Sequence, residues 1–370
     1  MAAFKLVFTN VTHRPVRAFV SVLAISLEVM LILLVIGIAN GMIQDNANRQ
    51  GSIGADIIVR PANAPPLFFT TGSTIIPEAV AETLARLDSV RAVTPILFLA
   101  QLRGGWRTVY GIDLPSFEAV AGNLEFLEGR GFSGPESREA IIDDLHARSN
   151  GLSVGDRFDL KDQSFQVVGI YRNGIGGRVY VPIRSLQTIT DKAGQASTFL
   201  AKLYDSEQLQ AAMARMRDLV PNINVTSMRE WVSLLRNGRP PAYGTFLTGV
   251  VGVAISIGSF ACFLSMYTTI AERTREIGIL KSLGARKGYI VNLVMMEIVV
   301  LCLTGLLAGF LLTFLGLQVL RFLYPAQILL IPPLWVALTV LFVSASGIIG
   351  GLYPALKAAG SDPVKALSYE

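Results

Sequence analysis

Four long apolar runs, at residues 16–42, 244–269, 291–320 and 334–353, dominate the pattern of this 370-residue chain. Each exceeds or approaches the 20 or so helical residues that cross a hydrocarbon core roughly 30 Å thick, so four membrane spans are predicted. Between the second and third runs lies a charged island of about twenty residues, IAERTREIGILKSLGARKGYI at 270–290. It reads as a short helix, with Ile277, Leu280 and Leu283 at i, i+3 and i+6 on one face and Glu272, Arg273, Arg275, Glu276 and Lys281 elsewhere. Gly284 stops it. Held at the membrane surface by two flanking spans, such a helix offers another protein something to push; the plainer reading is a solvated connecting loop.

The polar stretch between the first and second spans changes period. Residues 45–50 prolong the first helix as a stalk. Residues 55–60 (ADIIVR), 90–102, 198–204 and 223–228 read as strands, and 77–88, 206–219 and 229–237 as helices, with Ser206 as an N-cap. Two β-α-β units separated by an insertion predict a split α+β layer. The insertion, about residues 113–185, carries LSVGDRFDLKDQSFQVVGIY and GGRVYVPI, rich in β-branched and aromatic residues with Gly-Asp and Asp-Gln turns, and reads as a small β-rich subdomain. NGIGGR at 173–178 lacks the following helix and the Lys-Ser/Thr pair of a phosphate-binding loop, so a hairpin or flexible loop is expected. PANAPP at 61–66 reads as a loop at the domain edge, and its apolar sequel LFF as a partner contact or simple packing.

Composition fits that outline: 52% hydrophobic residues and a mean hydropathy of +0.51 suit an integral membrane protein with a sizeable soluble part. Charge orients it. Residues 45–239 hold 21 basic and 21 acidic side chains, whereas the segments assigned to the inner side hold ten basic (Lys5, Arg14, Arg17, Arg273, Arg275, Lys281, Arg286, Lys287, Lys357, Lys365) and four acidic. The positive-inside rule then puts both termini inside and the large domain outside. The basic pI of about 9.2 reports this topology and gives no reason to infer nucleic-acid binding. The two cysteines, Cys262 and Cys302, both fall in spans, which excludes a structural disulfide in the exported domain. The first span exceeds a signal-peptide core and is read as retained. Residues 3–13 have the spacing of an amphipathic helix lying on the inner surface.

Two carboxylates fall inside spans. Glu28 lies about 16 Å beyond Arg17 along a helix rising 1.5 Å per residue, near mid-membrane, where an acid is a functional candidate by default; the plainer reading is a protonated or hydrogen-bonded acid facing another helix. Glu297 lies a turn or two into the third span. Asp143, Asp144 and His146 could be drawn as a metal cluster, but the only other histidine, His13, is across the membrane, so solvated loop residues are expected. Small residues crowd the later spans: Gly249, Gly252, Ser256 and Ala261, then Gly305 and Gly309, then Ser344, Gly347, Gly350 and Gly351. They predict close packing of the spans on one another or on a partner subunit. No charged row lines the spans, which argues against a hydrophilic pore. Pro354 is expected to break the last span.

ERTREIGILKSLGA, with the C-terminal GLYPALKAAGSDPVKALSYE, resembles the paired signatures of the FtsX/MacB-type permeases, the membrane subunits of the mechanotransmission (type VII) ABC systems. EGRGF, EAIID, LSVGDRF and FQVVGIY resemble the MacB-like periplasmic core domain, whose parts are called porter and Sabre. The resemblance implies an α-helical membrane protein with four transmembrane helices plus an α+β extracytoplasmic domain. Its order would be an amphipathic helix (1–15), a span (16–43), the core domain (44–243, insert about 113–185), a span (244–270) and a coupling helix (271–290). A span (291–320), a short external loop (321–333), a last span (334–353) and a tail (354–370) would follow. It implies that Glu272, Arg273, Arg275, Glu276, Ile277, Gly278, Leu280, Lys281, Leu283 and Gly284 form the ATPase-coupling segment, with Leu280 and Leu283 packing into the ATPase groove.

No GxxxxGK[ST] occurs in the 370 residues, so ATP and Mg²⁺ are expected on a separate ABC ATPase subunit, with no catalytic residue, cofactor or metal in this chain. The further partners implied are a second permease copy or homologue, giving a dimer, and a periplasmic adaptor or membrane-fusion protein, in a bacterial inner membrane. The leading functional expectation is export or extraction of a lipid, lipoprotein, peptide or drug. The alternative is an FtsX-like regulator that activates a cell-wall hydrolase. An enzyme with its site in residues 45–240 lacks a nucleophile, base or metal constellation.

Overall fold

The computed structural model describes residues 15–64, 74–101, 107–237, 241–324 and 327–360. The expected helix at 3–13, the LFF at 67–69 and the tail after Gly360 lie outside them. The chain divides into two compact units, one of Met1–Gly41, Pro241–Leu323 and Gln327–Glu370, the other of Met42–Pro240 and Tyr324–Ala326.

The first helix, α1 (Pro15–Gly51), opens on a proline, whose missing N–H costs nothing in a first turn, and runs through residues 45–50 as the stalk reading required. In the second unit follow β1 (Ile57–Pro61), β2 (Ile76–Pro77), α2 (Ala79–Ala85), β3 (Val90–Gln101), β4 (Arg107–Ile112), α3 (Leu114–Ala121), β5 (Phe126–Gly129) and β6 (Glu139–Asp143). Then come α4 (Asp144–Asn150), β7 (Arg157–Leu160), β8 (Gln163–Tyr171), β9 (Val179–Pro182), α5 (Ile183–Thr190), β10 (Gln195–Ala196) and β11 (Thr198–Leu203). A 3₁₀ turn, Ser206–Gln208, leads into α6 (Leu209–Leu219), and β12 (Ile223–Ser227) and α7 (Met228–Asn237) complete the unit. The 3₁₀ turn is capped by Asp205, one residue before the Ser206 that the sequence suggests.

Among the described residues ten strands form one mixed sheet, ordered β12-β1-β11-β3-β4-β9-β6-β8-β5 with β7 beside β8. The β-rich insertion therefore does not close on itself. Its β9 pairs in parallel with β4, Val109 opposite Val179 through Ile112 opposite Pro182, and extends the sheet of the split layer. Within the insertion, Lys161 and Asp162 both take positive φ (47° and 64°) between Leu160 and Gln163, the two-residue turn that suits strand twist.

Strand side chains alternate across this sheet, and both faces are covered. Ile58, Ile96, Tyr110, Ile141, Tyr180 and Leu200 share one core with Phe117 and Val120 of α3 and Met228 and Trp231 of α7. Their neighbours turn the other way into two separate cores: Ile57, Val59, Phe199 and Ala201 with α2 and α6, and Leu97, Val109, Ile142, Val179 and Val181 with Ala147 of α4 and Leu186 of α5. Burial on both faces explains why strands such as IIVRP and VYVP read as nearly continuous apolar runs.

The helical unit holds α8 (Pro241–Glu272), α9 (Thr274–Ser282), α10 (Lys287–Leu323) and α11 (Pro333–Gly360). Among the described residues four helices are long and apolar enough to cross a membrane: Ala18–Gly51, Gly244–Glu272, Lys287–Leu323 and Pro333–Gly360. Glycines set their approach. A Cβ on Gly305 or Gly309 of α10 would strike Ile25 or Val29 of α1, and one on Gly350 of α11 would strike the Ser259 carbonyl of α8. Gly249 and Gly252 of α8 differ: among the described residues nothing lies within 4 Å of a Cβ built on either.

Pro354 does not break α11. It is buried inside the helix, which runs on to Gly360. The ring forfeits one hydrogen bond, to the Gly350 carbonyl, and burial of Ala355, Ala358 and Ala359 beyond it offsets that loss.

Candidate functional site

The charged island is a helix of its own. After Glu272 the backbone departs from helix at Arg273 (φ −106°, ψ 14°), and α9 then runs nine residues. It ends at Leu283, whose N–H donates to the Ile279 carbonyl, and Gly284 takes φ +91°, a conformation that only glycine adopts without strain. One side of α9 is seated on the chain. Ile277 is buried among Ile290 of α10 and Ala358 and Ala359 of α11. Lys281 Nζ donates to the Ala359 carbonyl at 2.8 Å, in the last turn of α11, where carbonyls lack intrahelical donors. Arg273 Nη1 lies 3.9 Å from Glu297 Oε2 on α10, and its Nε lies 3.8 Å from Glu276 Oε2.

This seating sorts the ten residues expected to form the ATPase-coupling segment. Glu272, Arg275, Glu276, Leu283 and Gly284 are exposed, Leu283 to 80%. Arg273, Leu280 and Lys281 are half-buried, and Ile277 and Gly278 are buried. Ile277 and Gly278 therefore face inward, and the face drawn through Ile277, Leu280 and Leu283 is split between inside and outside. Ile279, 44% exposed, joins Leu283 at i+4 to make the outward apolar pair. Its spacing from Arg275 and Leu283 was the signal that could have marked it.

Glu28 is buried, 3% exposed, among three helices. Ser346 Oγ of α11 donates to Glu28 Oε2 at 3.2 Å, and a Cβ on Gly258 of α8 would collide with the carboxylate. A glycine at 258 thus makes the room the acid occupies. Glu297 lies beside Arg273, as given above, so it belongs to the seat of α9.

In the other unit the structure assembles a cluster that sequence reading missed. Arg49, near the end of α1, is 5% exposed and Asp143, the last residue of β6, 0%. Arg49 Nη1 lies 2.9 Å from Asp143 Oδ2 and donates to Asn173 Oδ1 at 2.8 Å; Nε donates to the Gly176 carbonyl at 2.9 Å, and Nη2 to the Gly177 carbonyl. Arg178 Nη2 pairs with Asp45 of α1 at 2.7 Å. Asp143 and His146 are thus buried, contrary to the solvated loop expected of them: Asp143 caps α4 through the His146 N–H at 2.6 Å while holding Arg49. Burial pushes the Asp143 carboxyl above its ordinary value, and the Arg49 and Arg178 charges oppose that shift.

The NGIGGR segment is correspondingly a built cradle. Gly174 and Gly176 have φ of +126° and +60°, and a Cβ on Gly177 would strike the Tyr110 ring. Gly177 N–H donates to Tyr180 Oη at 2.7 Å, and the Tyr171 hydroxyl donates to the Gly177 carbonyl.

A model of the MacB-like periplasmic core domain matches residues 18–219, and a model of the FtsX-like permease C-terminal domain matches residues 248–363. The chain is 27% identical to a protein of Sodalis glossinidius (strain morsitans) named macrolide export ATP-binding/permease protein MacB, over 97% of this chain and 59% of that one. It is 23% identical, over 99% of both chains, to an uncharacterized ABC transporter permease, YvrN, of Bacillus subtilis (strain 168). The chain thus spans about three fifths of its MacB relative's length. Among solved structures the periplasmic region of MacB from Actinobacillus actinomycetemcomitans is similar at a TM-score of 0.39 and 14% identity, covering 50% of this chain and 95% of that one. With both family models matched in sequence order, the first alone across more than half of the residues, the chain belongs to the FtsX/MacB-type permeases of ABC transporters.

Proposed function

We propose that this permease couples ATP hydrolysis by a separate ABC ATPase to movement of its sheet-bearing unit, and thereby exports or extracts a hydrophobic or amphipathic substrate. One observation carries the reading: α9 is fixed on one side by Ile277, Lys281 and Arg273 and, among the described residues, uncovered on the other, where Arg275, Glu276, Ile279 and Leu283 are exposed. An apolar pair rimmed by both signs of charge has the composition of a docking surface, and a helix seated on α10 and α11 passes a push to those spans. The ATPase brings the ATP and Mg²⁺. Both termini and α9 face the cytoplasm of a bacterial cell, in accord with the positive excess there, and the sheet-bearing unit lies outside the inner membrane. A second permease copy or a homologue completes the membrane unit, with the open Gly249 and Gly252 stretch of α8 as surface to offer it. A periplasmic adaptor is the further partner. The substrate class follows the printed name of the MacB relative, a macrolide exporter aligned along 97% of this chain.

Glu276→Arg tests the coupling: the full chain should lose co-purification with its ATPase and the stimulation of hydrolysis. Unchanged binding and hydrolysis would refute the docking assignment. ATP-dependent release of labelled lipid, lipoprotein, peptide or macrolide from the reconstituted complex tests the export step, and activation of a wall hydrolase without release would refute it.

A further inference from the structure

The end of α1 is held in the second unit by direction as much as by attraction. Arg49 reaches one edge shared by three neighbouring strands: Asp143 ends β6, while Asn173, Gly176 and Gly177 lie in the loop that leaves β8 and enters β9. Its planar guanidinium carries five N–H groups in a fixed fork, and four acceptors, two of them backbone carbonyls, stand where the fork points. The reverse contact is also made, since Gly176 N–H donates to the Arg49 carbonyl at 2.9 Å. One turn earlier Asp45 meets Arg178, whose own carbonyl accepts from the Asp143 N–H at 2.9 Å.

Apolar side chains would hold a helix end to a sheet about as firmly as a buried ion pair does. What the fork adds is register. A slip of one residue turns a helix by about 100° and shifts it by 1.5 Å, which takes every one of these donors off its acceptor. Nor is the cradle free to follow: two of its glycines hold left-handed backbone, and the third touches the Tyr110 ring where a Cβ would sit.

We propose that Arg49 is a positioning residue that locks the rotation and axial setting of the α1 end on β6, β8 and β9, so that displacement of α1 reaches the sheet without slip. The proposal rests on the coupling reading above. Its test uses the full chain in complex with its ATPase in nanodiscs, with an environment-sensitive fluorophore on Gln210→Cys, an exposed position of α6. The native Cys262 and Cys302 are buried. The double variant Arg49→Met with Asp143→Asn removes both charges together, keeps a side-chain oxygen to cap α4 and leaves no buried ion unpaired. It should melt like the parent and hydrolyse ATP like it, yet lose the nucleotide-dependent fluorescence change. A parental change in that variant would overturn the proposal. If the double variant is not recovered folded, Arg49→Lys carries the test: it keeps the charge and loses the fork, so a partial response is expected and a full one overturns the lock. A parent that binds its ATPase but shows no nucleotide-dependent change overturns the coupling reading along with the lock, whereas a responsive parent with an equally responsive variant overturns the lock alone.

Discussion

Glu28 and Arg49 lie on one helix and are both buried, yet they are satisfied differently. Arg49 has four acceptors, while among the described residues Glu28 receives one hydrogen bond, from Ser346, and its Oε1 has none. Glu28→Gln keeps a group that can accept from Ser346 and should leave the melting temperature within about 2 °C of the parent. Gly258→Leu drives a side chain into the carboxylate and should cost about 1–3 kcal/mol by overpacking, read as a clear fall in the same melt. Glu139, in the other unit, gives a pH signature. Burial raises its carboxyl, but hydrogen bonds from Arg130, from the Ser133 N–H and hydroxyl and from Ser137 win and bring it to about 2 from 4.5. A carboxylate depressed on folding contributes stability that is full above its unfolded value and lost as pH falls toward its folded one. The parent should therefore out-melt Glu139→Gln by a margin that is constant above about pH 5 and shrinks toward pH 2. A margin that grew on acidification would contradict the assignment.

Of the elements, α9 carries most of the functional reading. Leu283→Asp places a charge in the outward apolar pair and should weaken ATPase binding at least about tenfold, near 1.4 kcal/mol, while leaving the chain folded because Leu283 is 80% exposed. Lys281→Met should leave the outward face intact and loosen the seat on α11, so binding persists while coupled hydrolysis falls; the two variants separate docking from transmission. The existence of α9, its charged flank and its stop at Gly284 were all legible in the pattern. Which side faces in was not, because the deciding atoms, Ile290, Ala358 and Ala359, belong to other helices. Pro354 misled for a related reason: its local cost is real, but tertiary burial of the turn beyond it decides the outcome. The strands and helices of the second unit stood out better: β1, β3, β11, β12, α6 and α7 each overlap a segment read as that element from the sequence.

For the whole molecule, four apolar helices and an α+β body could be read from the chain, and the way the body is joined could not. Parallel pairing of β4 with β9 leaves no local trace, so the β-rich insertion could be read from the chain but not that its strands continue the sheet of the split layer. Likewise Asp143 looked solvated because its partner, Arg49, is 94 residues away, and the contacts of the NGIGGR loop could not be read because the guanidinium it holds comes from α1. The proposed function depends on α9 lying on the cytoplasmic side of the membrane and the sheet outside it. The most direct measurement is labelling by a membrane-impermeant maleimide at Arg275→Cys and at Val154→Cys, both exposed positions, in spheroplasts whose inner membrane is intact. Val154→Cys should react at once, and Arg275→Cys only after permeabilisation. Equal reaction of the two before permeabilisation, or of neither, would place them in one compartment and contradict the account.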